Sequence, residues 1–163
     1  MGLTGVNRVR QMTRTAAIAA IYGALTIVLA PISYGPIQLR VAEAMTVLPF
    51  FYGEAAAGLF LGCFIANIFG GNGLLDVVFG SLTTLLAALI SRRIKVPWLV
   101  PLPPVLLNGL IIGAMLHYVL GVPFLLTASE VTLGQIGACY GLGLPLLYSL
   151  QRLFFRQKKE GEE

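Results

Sequence analysis

Charge is the scarcest thing in this sequence. Lys, Arg, Asp and Glu make up 11% of its 163 residues, where a soluble domain carries about 25%. Histidine and tryptophan occur once each and cysteine twice. Each shortage removes a class of function. No GxxxxGK[ST] stretch is present, so the chain cannot by itself cradle and hydrolyse ATP. His117 has no second histidine, the two cysteines lack ligand spacing and there is no HExxH, which argues against a catalytic metal. No serine or cysteine nucleophile has a recognisable histidine partner, so the chain is not read as an enzyme. Cys63 and Cys139 lie inside apolar runs, where a disulfide framework is not expected.

Hydrocarbon takes the place of charge. The chain is 57% hydrophobic with a mean hydropathy of +0.85. At ~20 residues per transmembrane helix, six helices need about 120 residues and leave short loops. The expected architecture is all-α: one polytopic membrane domain over 1–163, with a basic lead-in at 1–14, a six-helix bundle at 15–154 and a cytoplasmic tail at 155–163.

The net charge of +4 is a matter of placement. Ten of the eleven Lys and Arg residues fall in three clusters: Arg8, Arg10, Arg14; Arg92, Arg93, Lys95; and Arg152, Arg156, Lys158, Lys159. Six crossings put all three on one side, which the positive-inside rule makes cytoplasmic. Both termini are then cytoplasmic and the location is the cell membrane, with the lipid bilayer as partner and no nucleic acid. The apolar start lacks a small-residue cleavage site and does not read as a signal peptide.

The first span is expected from Thr15 to Ile32, ended by Pro31. On it Ala16, Ala20 and Ala24 recur every four residues, and Ala19 and Gly23 repeat the spacing. Such rows let helix backbones approach closely in lipid, whether inside one bundle or against a partner. An outer loop at Ser33–Leu39 leads to a short second span, Val41–Tyr52, and a tight cytoplasmic turn at Gly53-Glu54. The third span, Ala55–Phe69, carries Gly58xxxGly62 and Asn67. The fourth, Leu74–Ile90, aligns Asp76, Gly80, Thr83 and Ala87 on one face. The fifth starts among Pro101, Pro103 and Pro104, holds Asn108 and Gly109xxxGly113, and ends at Leu120, with His117 expected at the interface. The sixth, Phe124–Phe154, places Glu130, Gly134, Gly137 and Gly141 on one face, with Gln135 rotated away and Pro145 kinking the inner end. The tail after it is expected to be solvated and disordered.

Against this background the stretch Ser33–Pro49 stands out, because Arg40 and Glu43 are ionisable groups where a loop enters an apolar segment. At helical spacing they can pair, and ionisable groups in such a place are costly and read as functional. With Asn67, Asp76, Asn108, Gln135 and Glu130 they form a candidate substrate-binding set. Carboxylates and carboxamides suit a planar, nitrogen-rich ligand. A carboxylate can accept two parallel N–H donors from a guanine-like edge, while Tyr34 or Phe50 stacks on the ring.

Four phrases then appear in order: APISYGPIQLRVAEAMTVLPFFYGEA, GLFLGCFIANIFGGNGLLDVVFGSLTTLLAALISR, PLPPVLLNG and CYGLGLPLLYSL. Together they resemble the QueT family of queuosine-precursor transporters over roughly residues 15 to 155. The resemblance implies the substrate-binding S component of an energy-coupling factor (ECF) importer, which captures a 7-deazaguanine such as preQ1, preQ0 or queuine from outside. It implies as partners a transmembrane coupling subunit and two cytoplasmic ATPases, so that ATP is used by the partners and this chain needs no cofactor. It also implies that Ala16, Ala20 and Ala24 match the stripe that docks the coupling subunit. Where the family phrase is expected to carry Glu, this chain has Gln135, a neutral amide that weakens a preference for a cationic aminomethyl ligand. The rival readings are a proton-coupled secondary transporter using Glu43, Asp76 or Glu130, a membrane-embedded enzyme and a purely structural membrane subunit.

Overall fold

The computed structural model describes residues 3–34, 38–70 and 73–160. Every regular element among them is helical. Helix α1 is Leu3–Val28, α2 is Val41–Phe50, α3 is Ala55–Gly70, α4 is Asp76–Ser91, α5 is Pro97–Leu120 and α6 is Phe124–Arg156, whose last turn continues to Glu160. A single turn, Ala30–Ser33, follows α1. Helices α5 and α6 are long and apolar enough to cross a membrane, and α2, α3 and α4 are shorter apolar helices.

The burial pattern is that of a protein dissolved in lipid. Leu61, Phe64, Ile65, Ile68 and Phe69 on α3 and Leu82, Leu86, Leu89 and Ile90 on α4 are exposed, while Asn67, Asp76, Thr83 and Thr84 on the same helices are buried. A soluble protein does not expose apolar faces so widely. The expected face Asp76, Gly80, Thr83, Ala87 is buried throughout.

Helix α1 packs mainly on α3. The approach is close because α3 presents glycine there. A Cβ at Gly62 would lie 2.7 Å from the Ala19 carbonyl oxygen, and one at Gly58 would lie 2.8 Å from that of Thr15. Ala19 and Gly23 are thus consumed by packing inside the chain, whereas Ala16, Ala20 and Ala24 lie on the exposed side of α1. At the inner end Arg14 pairs with Glu54 at 3.2 Å and lies 4.3 Å from the centroid of the Tyr52 ring, fixing α1 over the Gly53-Glu54 turn.

Helix α2 departs most from expectation. It is a 3₁₀ helix over all ten residues, where runs beyond three or four residues are uncommon. Its rise of about 2.0 Å per residue makes it about 20 Å long, against about 15 Å for an α-helix of the same length. A short segment is thereby stretched toward the depth of the bilayer. It is also the most enclosed element, with Ala42, Glu43, Ala44, Met45, Thr46, Val47 and Pro49 all buried. Phe50, expected as a stacking partner, packs at its inner end with Phe51 and the Val47–Val100–Leu147 cluster.

Other boundaries shift too. Helix α1 ends at Val28, before Pro31, which sits in the first positions of the Ala30–Ser33 turn. The lead-in is helical from Leu3, and the tail expected to be disordered is helical as far as Glu160. The expected face Glu130, Gly134, Gly137, Gly141 does not hold together: Gly134 is buried but Gly137 and Gly141 are exposed. The cause is a π-helical stretch, Ile136–Gly143. Its i→i+5 bonding widens the turn and rotates later residues out of the 3.6 phase.

Candidate functional site

The N-terminal end of α2 is the centre of a buried polar network. Arg40 immediately precedes the helix and Glu43 lies in its first turn. The expected pairing of these two is replaced by a wider arrangement. Arg40 pairs with Asp76 across the bundle, Nη2 to Oδ2 at 3.9 Å. Its Nη1 donates to Cys63 Sγ at 3.5 Å, and its guanidinium lies 5.2 Å from the centroid of the Tyr34 ring. Glu43 instead accepts at Oε1 from the Tyr22 hydroxyl (2.5 Å) and the Thr84 hydroxyl (3.2 Å). The reason is backbone geometry: Arg40 is extended, at φ −86° and ψ 92°, and its side chain leaves in a different direction from that of Glu43.

Asn67 and Tyr34 close the network on the α3 side. Asn67 Nδ2 donates to the Asp76 carbonyl at 2.9 Å and to Cys63 Sγ at 3.5 Å. The Tyr34 hydroxyl reaches the Ala66 carbonyl at 2.8 Å and Asn67 Oδ1 at 3.3 Å. Thr84 also points at Cys63, at 3.4 Å. Five of the sequence-derived residues, Tyr34, Arg40, Glu43, Asn67 and Asp76, are therefore joined through three that the sequence did not single out: Tyr22, Cys63 and Thr84. A lone tyrosine in an otherwise apolar span and a threonine on the inward face of α4 were the available signals. Both are individually common, and neither has a spacing that announces a network.

Gln135 joins from the other side of α2. Cys139 Sγ lies 3.3 Å from Gln135 Oε1 and 3.6 Å from the Glu43 carbonyl oxygen, and Thr46 Oγ1 is 3.9 Å away. Both cysteines are free and buried. Asn108 is buried but its amide donates within its own helix, to the Pro104 carbonyl at 2.9 Å. Glu130 is half-buried and stands apart from the network around Glu43. His117 is exposed, with Nδ1 2.6 Å from the Val122 carbonyl and its ring edge-on to Phe124. The expected stacking partner Tyr34 is thus engaged with Arg40.

Three of the candidates share a local device. Asp76 and Asn108 each open a π-helical turn, Asp76–Gly80 and Asn108–Ile112, and Gln135 immediately precedes Ile136–Gly143. Such wide turns recur at functional sites, because they displace a side chain from the regular helical position. Elsewhere, a cleft of about 540 Å³ between α4 and α5 is lined by Leu75, Phe79, Leu110, Ile111, Ala114, Met115 and Tyr118. It lacks the convergent polar groups that fix a ligand's orientation, so the polar network is the better candidate.

Comparison with known proteins gives the chain a family. The family described as QueT transporter matches residues 12–152 of this chain. The queuosine precursor transporter QueT of Lactococcus lactis subsp. cremoris (strain MG1363) is 32% identical over 141 residues, covering 77% of this chain and 83% of that protein. No solved structure matches the chain. With apolar helices around a buried polar centre, a family match across most of its length and a relative this similar, the chain is a membrane protein that belongs to the QueT transporter family.

Proposed function

We propose that this chain is the substrate-binding S component of an ECF importer, capturing a queuosine precursor of the 7-deazaguanine class from outside the cell. The observation that carries this reading is the buried network around Arg40, Glu43 and Asp76, built into a transporter-family chain that has no nucleotide-binding sequence of its own. The printed name of the Lactococcus relative supports the ligand class. Power then comes from a transmembrane coupling subunit and two cytoplasmic ATPases, and no cofactor is assigned to this chain.

The chain forms one membrane domain of six spans, with the lead-in, the loop at Arg92–Lys95 and the tail in the cytoplasm. Substrate contacts are assigned to Glu43, Asn108 and Gln135, with Glu130 at the margin. Arg40, Asp76, Asn67 and Tyr34 hold the wall of the site. Ala16, Ala20 and Ala24 dock the coupling subunit, and their exposure on α1 is what such a role requires.

Uptake of labelled 7-deazaguanine into proteoliposomes tests the assignment. Uptake should require both the coupling module and ATP. Accumulation by this chain alone under a proton gradient would instead make it a proton-coupled carrier.

A further inference from the structure

The two oxygens of the Glu43 carboxylate are in different situations. Oε1 takes the hydroxyls of Tyr22 from α1 and Thr84 from α4. Oε2 is buried and has no hydrogen-bond partner among the described residues. A buried acceptor left without a donor is costly, and native proteins keep few of them outside places where something else is to bind.

Resting on the reading of this network as a deazaguanine site, we infer that Glu43 recognises its ligand through Oε2 alone, with Tyr22 and Thr84 as positioning residues that fix which oxygen that is. The chemistry of the atom fits that ligand class. A guanine-type edge brings N–H donors to a carboxylate oxygen. Both guanine and xanthine carry the ring N1–H, so the discriminating contact is that of Oε2 with the exocyclic 2-amino group, where xanthine has a carbonyl and sets acceptor against acceptor. The two-oxygen clamp that a free carboxylate offers such an edge is not what this site provides.

The inequivalence of the oxygens gives a test that a merely structural glutamate would not pass. In Glu43→Gln the amide oxygen is expected in the place of Oε1, where it keeps both hydroxyl bonds without turning either hydroxyl from donor to acceptor. The amide nitrogen then occupies the Oε2 position and presents a donor where the native residue presents an acceptor. The substitution should invert specificity as well as weaken binding.

The experiment is equilibrium binding of 7-deazaguanine and 7-deazaxanthine to the purified full chain in nanodiscs. Sites built on hydrogen bonds reject a mismatched ligand by about 10⁴–10⁵-fold, so the native chain should favour 7-deazaguanine by at least about 100-fold. Glu43→Gln should favour 7-deazaxanthine. Tyr22→Phe lets the carboxylate turn and should reduce the native preference by about tenfold. It also serves as the deciding variant if Glu43→Gln does not fold. A guanine-to-xanthine ratio within about threefold of the native value in the folded variants overturns the inference and leaves deazaguanine binding standing. Failure of the native chain to bind 7-deazaguanine at all overturns the proposed function, and this inference with it.

Discussion

On the α1–α4 side of the molecule, the polar groups of the network reach across to other helices. Tyr22 reaches Glu43, Thr84 reaches both Glu43 and Cys63, Arg40 reaches Asp76 and Cys63, and Asn67 reaches the Asp76 carbonyl. On the α5–α6 side, Asn108 donates to Pro104 and Gln135 meets Cys139, each one turn away on its own helix. The first group ties helices together, and its bonding is largely taken up by the fold. In the second group those bonds leave each amide with further donor and acceptor capacity. Burial is similar on the two sides, and on the proposed reading connectivity separates the groups that hold the wall from those that meet the ligand, Glu43 with its open Oε2 belonging to both.

Breaking the wall should have the largest effect. Arg40→Gln removes the cation opposite Asp76 and Cys63, and loss of one partner from a buried ion pair costs about 3–5 kcal/mol. Chemical unfolding in detergent should show a loss of that size, and a change below about 1 kcal/mol would mean that the pair does not hold the bundle. Tyr22→Phe comes next. It removes a hydroxyl donor from a buried carboxylate, a bond to a charged group worth about 1.5–3 kcal/mol, and the same unfolding measurement reads it.

The opposite side should respond in the opposite way. Asn108→Ala and Gln135→Ala should each destabilise the chain by only about 1 kcal/mol, the centre of the range for point substitutions and well below Arg40→Gln. In calorimetric titration each should weaken 7-deazaguanine binding by about 10–100-fold, the equivalent of one lost hydrogen bond of about 1–3 kcal/mol. Destabilisation comparable to Arg40→Gln would erase the distinction between the two sides.

The smallest expected effect on the isolated chain is that of Ala20→Trp. Ala20 is exposed, so stability and ligand binding should both survive. Co-purification with the coupling subunit should not, since a large side chain holds two helices apart. Unfolding of the isolated variant would place the stripe inside the bundle and overturn the docking assignment.

These sites differ in how much of them can be read from sequence. Helix α3 and the inward face of α4 follow from apolar runs and 3.6-residue spacing, because lipid and neighbouring helices impose that period directly. The two rows of small residues on α1 are legible as close-packing surfaces. Which one meets α3 depends on where Gly58 and Gly62 fall in space, and spacing along α1 carries no such information. Arg40 and Glu43 are conspicuous as charges in an apolar chain, but their partners are fixed by a 3₁₀ helix whose form comes from enclosure on every side. Local propensity does not announce ten residues of that geometry. The π-helical turns at Asp76, Asn108 and Ile136 are likewise tertiary products, and the third of them broke the expected glycine face of α6.

The central claim is that the polar set between these helices holds a queuosine precursor, and native mass spectrometry tests it most directly. The full chain, incubated with 7-deazaguanine and exchanged into free buffer, should retain one equivalent of the base. The Asn108→Ala,Gln135→Ala double variant, with a cooperative unfolding transition that shows it folded, should retain none. Equal retention by the native chain and the double variant would contradict the account.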